Sequence, residues 1–202
     1  MNKLLLILSA ILFFSCNNSA GEKVDLFKDS VKQPIHFLNK EIYLPKEYEK
    51  VNLNELGEML RQNPDLDAID RFYYQTAVSM QENEVAPVLF AEVTNKTNIM
   101  WFLQGSYMEL DKEMETTYLE MLQRSQIAAM EAKGITMKLL ENKFISLKNT
   151  KAIKVKYEQS YGFSKKYLTQ YIVTYKFDTF SILISQDQNK DFQDVLSNFS
   201  TY

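Results

Sequence analysis

Apolar positions fall into four regimes along the chain: a continuous run, a polar stretch, a half with helical spacing and a half with strand spacing. Leu4 to Phe14 is apolar apart from Ser9, whereas Asn17 to about Pro34 is polar, mixed in charge and without a sustained period, as a solvated tether is. From Ile35 the pattern becomes regular. Alternation through Phe37 to Leu44 stops at Pro45, which predicts a strand closing in the turn Pro45-Lys46-Glu47-Tyr48. Asn52 and Glu55 have capping-box spacing, Leu53, Leu56 and Leu60 recur at helical intervals, and Asn63-Pro64 stops that helix. Asp65 is placed to cap a second helix with Leu66, Ile69, Tyr73 and Ala77 on one face, although the aromatic density from Phe72 to Val78 also suits a strand.

Beyond Pro87 the spacing shortens. Val88–Val93 and Ile99–Leu103 are β-favouring runs joined by Thr94-Asn95-Lys96-Thr97-Asn98, the pattern of a hairpin. Asp111 caps the longest predicted helix, with Met114, Tyr118, Met121/Leu122, Ser125 and Ala129 as its stripe and Gly134 at the left-handed position past its end. Four strands are expected next, at about Met137–Leu147, Ala152–Ser160, Lys166–Phe177 and Thr179–Ser185, then a short helix over Asp191–Phe199. Turns such as Lys148-Asn149-Thr150 leave no room for crossovers, so these strands should pair antiparallel. The class is α+β: an antiparallel sheet of about six or seven strands packed by helices, in a single domain over residues 35–202.

Composition narrows the chemistry. With 46% apolar and 24% charged residues among 202, the chain can bury a core. One Cys excludes an internal disulfide and a cysteine-cluster zinc site, and one His excludes a multi-histidine metal centre. No phosphate loop, nucleophile elbow or metal-ligand cluster is present, so neither a metal nor a cofactor is expected. The net charge of −3 is unevenly distributed: residues 39–133 hold nine cations against seventeen carboxylates, residues 134–202 ten cations against six. An acidic chain with this balance is a poor nucleic-acid binder.

The remaining Cys has a positive meaning. Lys3, the apolar run to Phe14 and then Ser15-Cys16 fit a secretory signal, the run being shorter than the ~20 residues a spanning helix needs. Leu12-Phe13-Phe14-Ser15-Cys16 resembles the lipobox of bacterial lipoprotein precursors, of the Bacteroidetes kind given Phe13 and Phe14. That resemblance implies a signal peptide over residues 1–15, removal before Cys16, acylation of Cys16 and a lipidated tether over residues 16–34. It also implies a location in the bacterial cell envelope. Each acyl chain would contribute about 0.8 kcal/mol per buried CH₂, and more than one chain is needed for durable attachment. A cut after Ala20, leaving Cys16 in the discarded peptide, is the competing reading.

The order strand, helix, hairpin, long helix, antiparallel run and terminal helix resembles the PsbP-like superfamily, small α/β/α sandwiches that include many bacterial lipoproteins. The echoes are Ile42-Tyr43-Leu44-Pro45-Lys46-Glu47-Tyr48, with Tyr48 where the family usually carries Trp, and Phe180-Ser181-Ile182-Leu183-Ile184-Ser185 leading to Phe192 and Leu196. The resemblance implies a binding or assembly role without catalysis. It brings no active site with it.

Candidate sites are few. His36 has no evident partner and is expected to be structural or exposed. Glu109, Asp111, Glu113, Glu115 and Glu120 suit the start of a helix better than a cation loop. Lys154, Lys156 and Glu158 share one strand parity and are expected on a solvated face. Tyr157, Tyr167, Tyr171 and Tyr175 cluster in the C-terminal hairpin, either buried because both sheet faces are covered or forming a surface for a protein partner. The leading expectation is a lipid-anchored, non-enzymatic binding or scaffold protein. Alternatives are a carrier for an apolar ligand held between sheet and long helix, near Met114, Tyr118 and Met121, and a carboxylate-based hydrolase. Cys16→Ser should abolish incorporation of labelled lipid and membrane partitioning in cells; unchanged partitioning would remove the anchor.

Overall fold

The computed structural model describes residues 21–23, 29–82 and 87–201; residues 1–20, with the predicted signal and Cys16, lie outside the described residues. Strands β1 (Glu22–Lys23) and β2 (Ser30–Ile35) precede β3 (Lys40–Pro45) and β4 (Tyr48–Lys50). Helices α1 (Leu53–Gln62) and α2 (Ala68–Glu82) follow, then the hairpin β5 (Val88–Glu92) and β6 (Ile99–Gly105). Helix α3 (Met114–Leu122) continues through a π-helical stretch, Gln123–Ile127, into α4 (Ala128–Glu131). The meander β7 (Thr136–Ser146), β8 (Thr150–Tyr161), β9 (Ser164–Tyr175) and β10 (Asp178–Gln186) leads to β11 (Lys190–Asp191), a 3₁₀ turn at Gln193–Ser197 and β12 (Ser200–Thr201).

Local chemistry sets these boundaries. The Asn52 side chain accepts from the Asn54 N–H at 3.0 Å and donates to Glu55 at 3.3 Å, so the predicted capping pair opens α1. For α2 the carboxylate that accepts a backbone N–H is Asp67, from Ile69 at 2.8 Å, rather than Asp65. Asp111 accepts from Glu113 and Met114 ahead of α3. The β8–β9 and β9–β10 hairpins have two-residue loops, and their first residues, Gly162 and Lys176, sit at φ 57° and 56°. Gly162 adopts that conformation without a Cβ penalty.

Seven antiparallel strands form the main sheet in the order β4-β5-β6-β10-β9-β8-β7, which fulfils the expected α+β class. Both of its faces are covered. The helices pack on one, around Leu56, Tyr73, Trp101, Leu122, Ile153 and Leu183. On the other, β2, β3 and the C-terminal 3₁₀ turn bury Ile42, Leu44, Phe90, Phe102, Val195 and Leu196. Two-sided burial is why β9 carries two partly apolar rows.

Three expectations change. Ser30–Ile35, read as the end of the tether, pairs with β3 from Ser30↔Pro45 to Ile35↔Lys40, so the ordered domain includes residues before 35. As the edge of a three-stranded sheet it tolerates Pro34 and leaves Val31 exposed, which hid it from a pattern search. The closing helix over Asp191–Phe199 is the shorter 3₁₀ turn. The third change is chemical: Lys154 and Lys156 are fully buried, because β11 and the loop before it lie over that face of β8.

Lys154 is compensated by Glu141 at 2.6 Å and Asp191 at 3.1 Å, while Lys156 donates to the Lys190 carbonyl at 3.0 Å. Burial, reinforced by the neighbouring Lys154 charge, pushes the Lys156 ammonium down to about 8. Between about pH 8 and the ordinary lysine value of 10.5 the unfolded chain therefore binds more protons than the folded one, and this group makes stability rise with pH. Lys156→Met, which keeps the stem and removes the charge, should stabilise the domain by about 1 kcal/mol at pH 7, raising Tm by roughly 2–4 °C. Thermal melts of the two proteins should converge as pH rises from 8 toward 10; an unchanged difference would show that the charge is not the cause.

Candidate binding pocket

The four candidate tyrosines do not form one surface. Tyr157 faces the helices and is 2% exposed, whereas Tyr171 is fully buried in the opposite core with its hydroxyl 3.5 Å from Asp191. Tyr167 is half-buried, and Tyr175 packs against Phe199 with ring centroids 5.4 Å apart. The cause is the pleat: Tyr157 pairs with Leu168, so it takes the face that Tyr167, Tyr171 and Tyr175 avoid, and both faces are covered. Tyr157 and Tyr171 are thus unavailable to a partner.

The other candidates resolve into structural roles. His36 is exposed in the 3₁₀ turn after β2. Glu115 accepts the Phe144 N–H at 2.9 Å, tying α3 to β7, and Glu109 lies 3.7 Å from Lys151. Among the described residues no group of three or more His, Cys, Asp or Glu is placed to hold a metal ion. Carboxylates do converge at two points, each occupied by a lysine. Asp70 and Asp187 lie 2.8 and 2.9 Å from the buried Lys166 ammonium, as Glu141 and Asp191 flank Lys154. Burial pushes the Asp70 carboxyl up although Lys166 opposes it. A lysine-bridged pair has no room for the water or sugar that a two-carboxylate hydrolase must admit between its acids.

A cavity lies between the helices and the sheet, the region that the carrier alternative names. A pocket of about 350 Å³ lies between α2, the α3–π segment and the centre of the main sheet, with Tyr73, Trp101, Leu103, Tyr118, Leu122 and Leu183 in its wall. Its volume is at the lower end of small-molecule sites. Of the three side chains expected there, Tyr118 lines it. Met121 is half exposed and Met114 packs beside the helix-side core without reaching the pocket.

Beyond Leu122 the helix changes form. The Ala128 N–H reaches back five residues to the Gln123 carbonyl, adding one residue to the turn. Buried positions then run Leu122, Ile127, Met130, so the expected stripe through Ser125 and Ala129 fails, and Ser125 and Gln126 are displaced to the pocket wall. π turns of this kind are frequent at functional sites.

Most polar groups of the wall are already satisfied. Thr76 donates to the Phe72 carbonyl at 2.7 Å and Ser125 to the Met121 carbonyl at 2.8 Å; Tyr73 donates to Gln159 at 3.0 Å, and Gln170 to Gln126. Trp101 differs. It is 1% exposed, held edge-on against Tyr73 with centroids 6.0 Å apart, and its indole N–H finds no hydrogen-bond partner. A buried donor without an acceptor is costly. Burial also pushes the Tyr118 hydroxyl well above the usual phenol range. The pocket can therefore offer an apolar enclosure to an uncharged guest, with the Trp101 indole in its wall.

Comparison with known structures bears on the fold. The solution structure of cyanobacterial PsbP (CyanoP) from Synechocystis sp. PCC 6803 aligns with 86% of this chain and 93% of that one, with a TM-score of 0.51 and 10% sequence identity. The fold is PsbP-like. No protein family matches the sequence, and no curated protein is similar to it. At 10% identity the likeness extends to the arrangement of the chain and brings no residue role with it. Trp101, Gln126 and Gln170 have no sequence signature as site residues. A lone Trp in an apolar strand reads as core, and the π turn that brings Gln126 forward leaves no motif.

Proposed function

We propose that this chain is a lipid-anchored cell-envelope protein, without catalytic activity, that holds a small apolar molecule between its sheet and its long helix. The observation that carries the reading is the apolar pocket lined by Trp101, a buried residue whose indole N–H finds no partner. The preferred guest is uncharged and mostly hydrocarbon, with one carbonyl or ether oxygen to accept from Trp101. A carboxylate guest is disfavoured, because no cation lies in the pocket wall to offset its desolvation. The scaffold reading keeps the partly buried Tyr167 and Tyr175 and loses Tyr157 and Tyr171, which are buried. The lysine-bridged carboxylates favour binding over hydrolysis.

Trp101 is the single tryptophan of the chain, so its emission reports from the pocket. Titration with a medium-chain methyl ketone should change that emission saturably. The alkane of equal length should bind roughly 2–12-fold more weakly, the value of one net hydrogen bond of about 0.5–1.5 kcal/mol. Ser181→Leu, or Thr76→Leu if the first variant loses its far-ultraviolet dichroism, should fill the pocket and weaken both. No saturable change with the ketone would end the carrier reading, and equal affinities would show that Trp101 is not the recognising group.

A further inference from the structure

We infer that the β8–β9 hairpin tip is a second membrane contact, placing the Phe163 ring in the lipid interface and orienting the domain on its anchor. The inference goes beyond the pocket and takes its setting from the anchor at Cys16. Phe163 is completely exposed, at 110% of the reference area, on a two-residue loop whose companion, Gly162, has open space around it. The tip is held in place: the ring of the half-exposed Tyr161 lies 3.6 Å from where a Cβ on Gly134 would stand. A phenyl ring presented to water gains about 25 cal/mol per Å² of apolar area when buried.

The direction of the chain indicates what buries it. Lys156 donates to Lys190 and Lys154 meets Asp191, so β11 runs away from the Tyr161 end of β8. β1 is parallel to β11, with Glu22 beside Lys190 and Lys23 beside Asp191. The chain therefore enters β1 from the side of the hairpin tip. Gly21 lies against Asn189, and five further residues reach Cys16, a span of up to about 17 Å. Phe163 stands four residues beyond Tyr167, the partner of Gln186, or about 13 Å along the strand. A bilayer holding lipid on Cys16 is within reach of the tip.

The opposite end provides a control. The β9–β10 loop carries a second exposed ring, Phe177, at 84%, but the length of β9 separates the two tips by roughly 40 Å. A domain standing on the Phe163 tip holds Phe177 away from the membrane, whereas one lying with β9 flat would bring both rings to it. Exposed Lys133 and Lys138 lie near the Phe163 end, together with exposed Glu131 and the Lys165–Glu158 pair at 3.0 Å, a mixed polar rim of the kind found at a headgroup layer. One ring is too little to recruit a protein to a membrane. It suffices to orient one already tethered, for which the contact is intramolecular.

The test couples the mature chain, through its single thiol at Cys16, to maleimide-lipid vesicles of phosphatidylethanolamine and phosphatidylglycerol that contain brominated acyl chains. Phe163→Trp and Phe177→Trp are compared over the common background of buried Trp101. Loss of emission from Phe163→Trp, with Phe177→Trp unaffected, is the expected result. Quenching of neither, as when the tip docks to a protein or stays in water, overturns the proposal, and so does equal quenching of both. Because the tether is made chemically, the outcome does not depend on acylation in the cell; the mass of Cys16 peptides from membranes tests the anchor separately.

Discussion

Burial of both faces of one antiparallel sheet is the constraint on which the rest of the structure depends. Phe90, Phe102, Ile182 and Ile184 point to one side of the central strands and Leu89, Trp101 and Leu183 to the other. Neither row can be left to water at about 25 cal/mol per Å² of apolar surface. Helices α1 to α4 cover one side. Material for the other comes from the two ends of the described chain: β2 and β3 before the sheet, β11, the 3₁₀ turn and β12 after it. The termini are thus structural members, and the polar appearance of Ser30–Ile35 conceals an edge strand that the second core needs.

Covering the second face brings charge inside. Lys154 and Lys156 stand on β8 at positions where the alternation requires inward side chains, and β11 arrives over them with Asp191 and the Lys190 carbonyl as partners. An ion pair closed in this way adds little net stability, but its geometry fixes where the C-terminal segment lies. Lys166 does the same at the start of β9, holding Asp70 of α2 and Asp187 of the loop after β10. Buried lysines with partners from remote segments are the polar fastenings between the sheet and its two covers.

Most of the fold was legible because the signals were local. The capping pair Asn52/Glu55, the hairpin residues 93–98 and the four strands of the meander each declare themselves within a dozen residues. What escaped was decided by segments distant in sequence. Alternation shows that Lys154 and Tyr171 share a face, but the cover on that face comes from Asp191, 37 residues beyond Lys154. The pocket escaped for a different reason: periodicity assumes an unbroken α-helix, and Gln123–Ile127 is not one. Tyr118 lies on the regular part of the helix, as do Met114 and Met121, which do not reach the pocket, while Trp101 required knowledge of which polar groups were already paired.

The spacing of Leu122, Ile127 and Met130 also bears on how such a chain can change by insertion and deletion. Inward residues five and three apart do not lie on one stripe of a straight α-helix, but with one residue removed between Leu122 and Ile127 they would stand four and three apart, which do. The core beneath would then keep its contacts while the wall built by Ser125 and Gln126 disappeared. In this chain, loss of one residue between Leu122 and Ile127 would remodel one side of the pocket without disturbing the sheet.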